Sequence, residues 1–423
     1  MSVEYLSLAT GVQGLFVENK RFHTTLVSFQ FYLPLSRQTV AENALLPFML
    51  TTCGKQYPDF SSLNFELSRL YGASLDASAE KLGDLQLLKM RVSVINDRFA
   101  LDGGSVVRQA VDLLLGLLFE PKAENGAFAD EDLAREKRKA IEHIKSEMSE
   151  KRLYAKNRLI EEMYRDSVYG IPKCGTEEDI EKITGESLYK AWKRMLETAC
   201  VRVHVIGEKV PDGLFETITE TFSRIDRKAV TDLFATKATP EAKEIRTVTE
   251  QMDIKQGKLV MGFSSEMSGG DDETLPLILA TDIFGGGPYS KLFSNVREKM
   301  SLCYYCSASS LRSKGLITVD SGVEPQNAEK AYRAILEQLN ALQNGELSDF
   351  ELESSLKSMR DSLYAYNDSQ NTIDIWYGMK AIQKTAYSPE EIAEKLNLVT
   401  RDDVLKAAKG IRLHTVYKLC PKE

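Results

Sequence analysis

Histidine is scarce in this chain of 423 residues, with four in all, at positions 23, 143, 204 and 414. No two are close enough to pair as ligands on one helix, and no His-Glu-x-x-His occurs, which excludes a zinc site of that kind. His204 lies in the apolar strand Val201–Ile206 and His414 in the last strand, so both read as structural; His143 reads as a solvated residue on a charged helix. Positive charge is also short: the net charge of −8 argues against nucleic acid and favours basic or neutral peptides as partners. Six scattered cysteines (53, 174, 200, 303, 306 and 420) do not make the disulfide framework of a small secreted protein. The longest apolar run, Ala110 to Phe119, is broken by Asp112, and a membrane-spanning helix needs about 20 apolar residues. Met1-Ser2-Val3-Glu4-Tyr5 has neither the basic start nor the apolar stretch of a signal peptide. No Gly-Lys-Ser/Thr follows the glycines at 285–287, and no Gly-x-Ser-x-Gly occurs, which excludes a phosphate loop and a nucleophile elbow. The expectation is a cytoplasmic protein with no membrane span and no self-sufficient catalytic centre.

At 43% apolar and 27% charged, the chain is long enough for two or more cores. Residue patterning predicts strands at 3–8, 12–18, 22–32, 73–79 and 85–95, and helices at 43–53, 61–71 and 106–119. A mixed-sign helix is expected from about Asp130 to Tyr164, then a helix at 185–198, a strand at 200–207 and a helix at 212–222. After a polar stretch the order begins again: strand 258–264, helix 274–284, a glycine turn, helix 290–299, strands 303–310 and 316–323, helices 328–342 and 348–366, with a last strand at 412–419. Leu26-Val27, Glu42-Asn43, Gly54 and Arg69 are matched by Leu259-Val260, Glu273-Thr274, Gly286 and Arg297, at an offset near 230 residues. The expected fold class is α+β, a tandem duplication of two similar units, each an antiparallel-rich sheet covered by helices on one face. The units are placed at 1–225 and 246–423, with 226–245 as linker.

One stretch of the second unit draws attention. After Gly285-Gly286-Gly287, an amphipathic α-helix from about Ser290 to Lys299 would bury Leu292, Phe293 and Val296 and carry Arg297 near its end. Tyr304 follows on the next strand, so a guanidinium and a phenol can converge on one substrate carbonyl. Spacing alone favours the plainer reading, an ordinary helix–strand join with an exposed arginine and a packed tyrosine. Cys303-x-x-Cys306 has a redox or metal-knuckle spacing, but residues three apart on a strand point to opposite faces and no second pair completes a zinc site.

Taken together, Gly285-Gly286-Gly287, Leu292-Phe293, Val296-Arg297-Glu298-Lys299, Leu302 and Tyr304 resemble the second-half signature of the pitrilysin/insulinase metallopeptidases. The likeness is to their half-length members, related to mitochondrial processing peptidase. Tyr169-Gly170-Ile171-Pro172 with Gly175-Thr176-Glu177-Glu178-Asp179-Ile180 is similar to that family's PxxGTxExI turn. Tyr71-Gly72-Ala73-Ser74-Leu75-Asp76-Ala77-Ser78 is similar to its GAxxNAxT strand. The resemblance spans almost the whole chain and implies one half of a metallopeptidase clamshell.

The departure from the family is specific. Active members carry His-x-x-Glu-His on the first helix, supplying two zinc ligands and a general base. The register set by Met49-Leu50 and Gly54 puts Ala44-Leu45-Leu46-Pro47-Phe48 there, so Ala44, Pro47 and Phe48 replace the ligands and the base. The family's downstream glutamate ligand is matched by the stretch Glu136 to Ile144, with either His143 or Glu142 at the ligand position. This chemistry needs three protein ligands and a zinc-bound water. No cofactor is therefore expected on this chain, zinc is expected on a partner subunit, and the chain alone is not expected to hydrolyse peptides. Arg297 and Tyr304 match the pair that contributes to the family's substrate site from the second domain. The resemblance thus implies a non-catalytic, substrate-binding subunit of a heterodimeric zinc metallopeptidase acting on peptides, its partner a similar-length chain carrying His-x-x-Glu-His. The alternative is a non-enzymatic structural or peptide-binding homodimer of the same fold, as in the family's respiratory-complex core proteins. Peptide is expected to add as a strand to an exposed sheet edge of the first unit.

Overall fold

A computed structural model describes residues 2–101, 103–234, 236–383 and 385–422. The chain divides into two compact units, the first comprising Met1–Ile144, Ile171–Ala235 and Ser369–Ile382, the second Lys145–Gly170, Thr236–Asp368 and Gln383–Glu423.

In chain order the first half runs β1 (Ser2–Ala9), β2 (Val12–Glu18), β3 (Thr24–Pro34), α1 (Val40–Leu50), α2 (Phe60–Arg69), β4 (Ser74–Leu82) and β5 (Leu85–Ile95). There follow α3 (Val106–Phe119), the short pair β6 (Ala123–Glu124) and β7 (Ala127–Phe128), α4 (Asp130–Ser149), α5 (Lys151–Met163), α6 (Glu177–Glu181), α7 (Gly185–Thr198), β8 (Cys200–Gly207) and α8 (Leu214–Ser223). The sheet of the first unit has the order β1-β2-β8-β3-β5-β4, with β2 and β8 parallel and the other neighbours antiparallel. Central β3 shows why this sheet is covered on both faces. Val27, Phe29, Phe31 and Leu33 join the main core with Leu45, Leu46 and Met49 of α1, Leu114 and Leu118 of α3, and Met195 of α7. The alternate residues Ser28, Gln30 and Tyr32 are equally buried but polar, and a helix from much later in the chain meets them.

The second half runs β9 (Arg246–Met252), β10 (Gly257–Ser264), α9 (Asp271–Gly285), a π-helix (Leu292–Lys299), β11 (Cys303–Leu311), β12 (Leu316–Val323), α10 (Ala328–Gln343), α11 (Asp349–Ala365), α12 (Gln370–Lys380), α13 (Pro389–Leu396), α14 (Arg401–Lys409) and β13 (Arg412–Pro421). The second sheet has the order β11-β12-β10-β13-β9, with β13 and β9 parallel. The two sheets share one topology: β4, β5, β3, β8 and β2 correspond to β11, β12, β10, β13 and β9. The duplication inferred from the sequence is thus an α+β repeat, each sheet carrying a helical layer on one face and one further helix, α12 or α5, on the other. The offset is not constant, falling from 233 residues (Thr24 to Gly257) through 219 (Asp130 to Asp349) to 212 (Cys200 to Arg412).

Three expectations need correction. The charged helix expected from Asp130 to Tyr164 breaks at Glu150, whose side chain caps α5 by accepting from the backbone N–H groups of Arg152 (3.2 Å) and Leu153 (2.6 Å). Beyond the break, Ala155 and Leu159 pack on Val260, Tyr417 and Leu419, so α5 belongs to the second unit. Its repeat counterpart α12 belongs to the first unit, so neither unit is the continuous segment expected. The expected linker 226–245 is not a free tether either. Arg227 is buried and donates to the carbonyls of Thr10, Leu196 and Ala199, and Leu233 joins a core cluster with Tyr32, Leu85 and Leu87. Among the described residues no helix is long and apolar enough to cross a membrane.

Candidate functional site

The helix expected at 290–299 is a π-helix, an uncommon form often found at functional sites. Its approach is set by Gly285 at the end of α9, where a Cβ would lie 2.6 Å from the backbone nitrogen of Ala308. Only glycine lets α9 and β11 come this close. Leu292 and Val296 are fully buried, whereas Phe293, expected beside them, is half-buried and lies under the Arg297 guanidinium at 4.5 Å. The π-helix ends through Met300 N–H donating to Asn295 O at 2.9 Å and Leu302 N–H to Val296 O at 3.1 Å. Ser301 then takes a left-handed conformation, φ +50°, unusual outside glycine, and the chain enters β11.

This path brings Arg297 and Tyr304 together. The Arg297 Nε donates to the backbone carbonyl of Tyr304 at 3.0 Å, and its Nη1 lies 3.4 Å from the exposed Glu298 carboxylate. Tyr304 is not packed: it is 59% exposed, and its hydroxyl donates to Glu324 Oε1 at 3.1 Å. That hydrogen bond, together with the nearby negative charge, raises the Tyr304 phenol above its ordinary pKa, so it remains a donor at neutral pH. A guanidinium keeps its charge throughout. Both side chains line an open cleft of about 420 Å³, with Ser301, Cys303, Glu324 and Asn327 on its walls. Sequence reading did not name Glu324 or Asn327, although a polar Glu-Pro-Gln-Asn run closing an apolar strand marks a turn beside that strand's neighbours.

The cysteine pair also departs from expectation. β11 carries a bulge, because Cys303 pairs with Val323 while Tyr305 pairs with Gly322, leaving Tyr304 unpaired. Cys306 pairs with Ser321, two residues from Val323 on β12, so Cys303 and Cys306 share one face of the sheet rather than opposite faces.

The zinc-motif positions lie on α1. Ala44 and Pro47 are buried, and Phe48 is partly exposed. On α4, both Glu142 and His143 are exposed. That helix buries two acids, of which Glu136 accepts from Thr52 Oγ1 at 3.3 Å and is paired with Lys139 (2.9 Å) and Arg135 (3.2 Å). Asp132 is likewise held by Lys122 and Arg135. Among the described residues no cluster of three His, Cys, Asp or Glu side chains could hold a metal. These residues do not fit a catalytic zinc ion: the helix offers apolar side chains where ligands are needed, and the neighbouring carboxylates are already neutralised by cations. His204 and His414 also lie away from such a cluster. His204 is fully buried against Asp374, and His414 is half-buried beside Thr415.

Comparisons with known proteins agree with this geometry. Residues 182–359 match the family signature described as the peptidase M16 inactive domain. The probable inactive metalloprotease YmfF of Bacillus subtilis is 30% identical over 415 residues, covering 97% of this chain and 96% of that protein. The uncharacterized zinc protease YmxG of Bacillus subtilis is 26% identical over 71% of this chain and 72% of its own length. The crystal structure of a conserved protein from Enterococcus faecalis V583 superimposes with a TM-score of 0.90 at 26% identity, over 99% of both chains. The chain belongs to the M16 metallopeptidase family, among the half-length members that lack the zinc motif.

Proposed function

We propose that this chain is the substrate-binding, non-catalytic subunit of a two-chain zinc peptidase, in which a partner subunit carries His-x-x-Glu-His and the metal. One observation carries the reading: Arg297 and Tyr304 share an open cleft, with the phenol largely in solvent, while every zinc-motif position on α1 is apolar. A guanidinium and a phenol can donate to a peptide carbonyl and to the oxyanion that develops from it. Losing one such donor costs about 3–4 kcal/mol of transition-state stabilisation where the geometry is tight. Binding requires the Tyr304 hydroxyl to exchange its Glu324 acceptor for substrate, a swap between two solvent-accessible partners. For the peptide itself, β1 and β4 are the edges of the first sheet. β4 is the strand that resembles the family's GAxxNAxT block and is the edge offered for strand addition.

The test is to mix purified chain with a similar-length His-x-x-Glu-His subunit and follow cleavage of a peptide library. Hydrolysis is expected only in the mixture, with about 100-fold or greater loss of kcat in Arg297→Ala or Tyr304→Phe. Full activity in either variant removes that residue from the reading. Absence of partner-dependent hydrolysis, with a stable homodimer instead, favours the scaffold alternative.

A further inference from the structure

Cys303 and Cys306 are more than neighbours in sequence. Three residues of regular strand span about 10 Å and two span about 6.7 Å. The bulge at Tyr304 makes the three-residue step from Cys303 to Cys306 match a two-residue step on β12, from Val323 to Ser321. That shortens the separation to the upper end of the range of about 4.4–6.8 Å between Cα atoms that a disulfide tolerates. Both thiols are free, and both are buried from bulk solvent, at 8% and 5% exposure. Cys303 nevertheless forms part of the wall of the cleft that holds Arg297 and Tyr304.

The geometry points to Cys303 and Cys306 as a reversible thiol–disulfide site that opens onto this cleft and is oxidised by low-molecular-weight disulfides. The division of labour between the two sulfurs follows from their surroundings. The neighbouring Cys306 thiol, aided by the Arg297 charge, lowers the Cys303 thiol below its ordinary pKa despite burial, which makes it the attacking sulfur. Cys306 is raised by that same interaction and by burial, so it holds its proton until needed. The Cys303 thiolate attacks one sulfur of the small disulfide and displaces the other as a thiolate, which takes up the Cys303 proton. Cys306 then loses its proton and attacks the Cys303 sulfur, releasing the second small thiol. The two protein thiols give up two electrons, and one small disulfide becomes two thiols. A cleft of about 420 Å³ is of a size to admit the reagent.

Closing the bond tightens the bulge, and the residue inside it is Tyr304. Its phenol and the carbonyl that anchors Arg297 both move, so oxidation alters both donors of the cleft at once. The consequence for peptide handling rests on the function proposed above, whereas the thiol chemistry does not. The test therefore uses no peptidase readout.

The full chain is incubated with glutathione disulfide, and the tryptic peptide 300–312, which contains both cysteines, is analysed by mass. The wild-type peptide should lose two hydrogens and regain them with dithiothreitol. Cys306→Ser should retain one glutathione on Cys303, and Cys303→Ser should take up none at Cys306. Amide hydrogen exchange at 303–306 should change by about tenfold in the oxidised chain. Thermal denaturation of both serine variants confirms that each is folded before the comparison. Exchange unchanged by oxidation would overturn the link to Tyr304. A peptide 300–312 that stays reduced while Cys174 or Cys420 takes up glutathione would overturn the site itself.

Discussion

Asp374→Asn tests the arrangement that holds α12 on the first sheet. Asp374 is fully buried and accepts from Gln30 Nε2 at 2.7 Å, His204 Nδ1 at 2.9 Å and Ser28 Oγ at 3.3 Å, with Arg91 Nη1 at 4.0 Å. Burial alone would raise this carboxyl, but the hydrogen bond and charge of His204, with Lys89 and Arg91, outweigh it and hold it below the usual carboxylate range. Breaking a buried pair by removing one partner costs about 3–5 kcal/mol. At about 2–4 °C per kcal/mol for a unit of this size, the Tm of the first unit should fall by about 6–20 °C, read by calorimetry. The pH dependence carries a defined sign. A carboxyl whose pKa is depressed by folding stabilises above its unfolded value of about 3.9, and that stabilisation disappears as pH falls through the folded value. Wild type should therefore lose more Tm than Asp374→Asn between about pH 5 and about pH 2, and the two curves should converge at the acid end. A Tm change equivalent to less than about 1 kcal/mol would place the pair with weak surface bridges and refute the reasoning.

The same pair explains why α5 and α12 are exchanged between sheets. In the second unit the helix carries the cation: Arg152 Nε on α5 meets the buried Asp320 on β12 at 2.5 Å. Asp320 takes a place similar to that of Arg91: each lies beside the central strand, opposite a residue that faces the added helix, Ser28 for Arg91 and Val260 for Asp320. The signs are reversed between the repeats. If α12 docked on the second sheet it would set Asp374 against Asp320, and if α5 docked on the first it would set Arg152 against Arg91 and Lys89. Apposed like charges disfavour either exchange, most strongly where the buried Asp374 and Asp320 would meet. Arg91→Asp combined with Asp374→Arg should accordingly recover about 1 kcal/mol or more relative to the sum of the single changes.

Other changes have narrower readouts. Gly285→Ala forces the chain apart from Ala308 and should cost about 1–3 kcal/mol, measured by denaturant unfolding, with loss of peptide cleavage in the partner assay. Glu150→Ala removes the cap of α5 and should cost about 1 kcal/mol by the same measurement; no change would mean that packing alone holds the helix break.

The strands were legible because apolar alternation and β-branched residues mark them directly, and Leu85–Ile95, Cys200–Gly207 and Leu316–Val323 lie where patterning places them. β9 carried the same signal in Thr247-Val248-Thr249, yet with Arg246 and Glu250 at its flanks no strand was expected at the start of the second unit. The π-helix was not legible, since eight residues with two buried positions fit i,i+4 and i,i+5 hydrogen bonding equally well. The bulge was also hidden, because an added residue shows only in the partner strand's register. Nor could local spacing reveal the helix exchange, whose ion pairs join positions 91 with 374 and 152 with 320, far apart in the chain. Arg297 and Tyr304 stood out only through the motif that surrounds them; Glu324 and Asn327 reach the cleft from the turn after β12.

Arg297 and Tyr304 differ from these structural pairs in one testable respect: the fold has little need of them. The Arg297 side chain is 38% exposed and its ion-pair partner Glu298 is 56% exposed. Tyr304 is 59% exposed and gives its hydroxyl to a carboxylate in solvent reach. Exposed pairs of this kind contribute about 0–1 kcal/mol. Buried Ala44 and Pro47, by contrast, help fill the core of the first unit. Arg297→Ala and Tyr304→Phe should each leave the Tm within about 1 kcal/mol of wild type while lowering partner-dependent hydrolysis. If either change removed several kcal/mol of stability, the residue would be a structural strut and its proposed role as a donor to substrate would fall. If stability held and hydrolysis fell, the loss could not be assigned to misfolding, and the cleft would be what this chain brings to the chemistry.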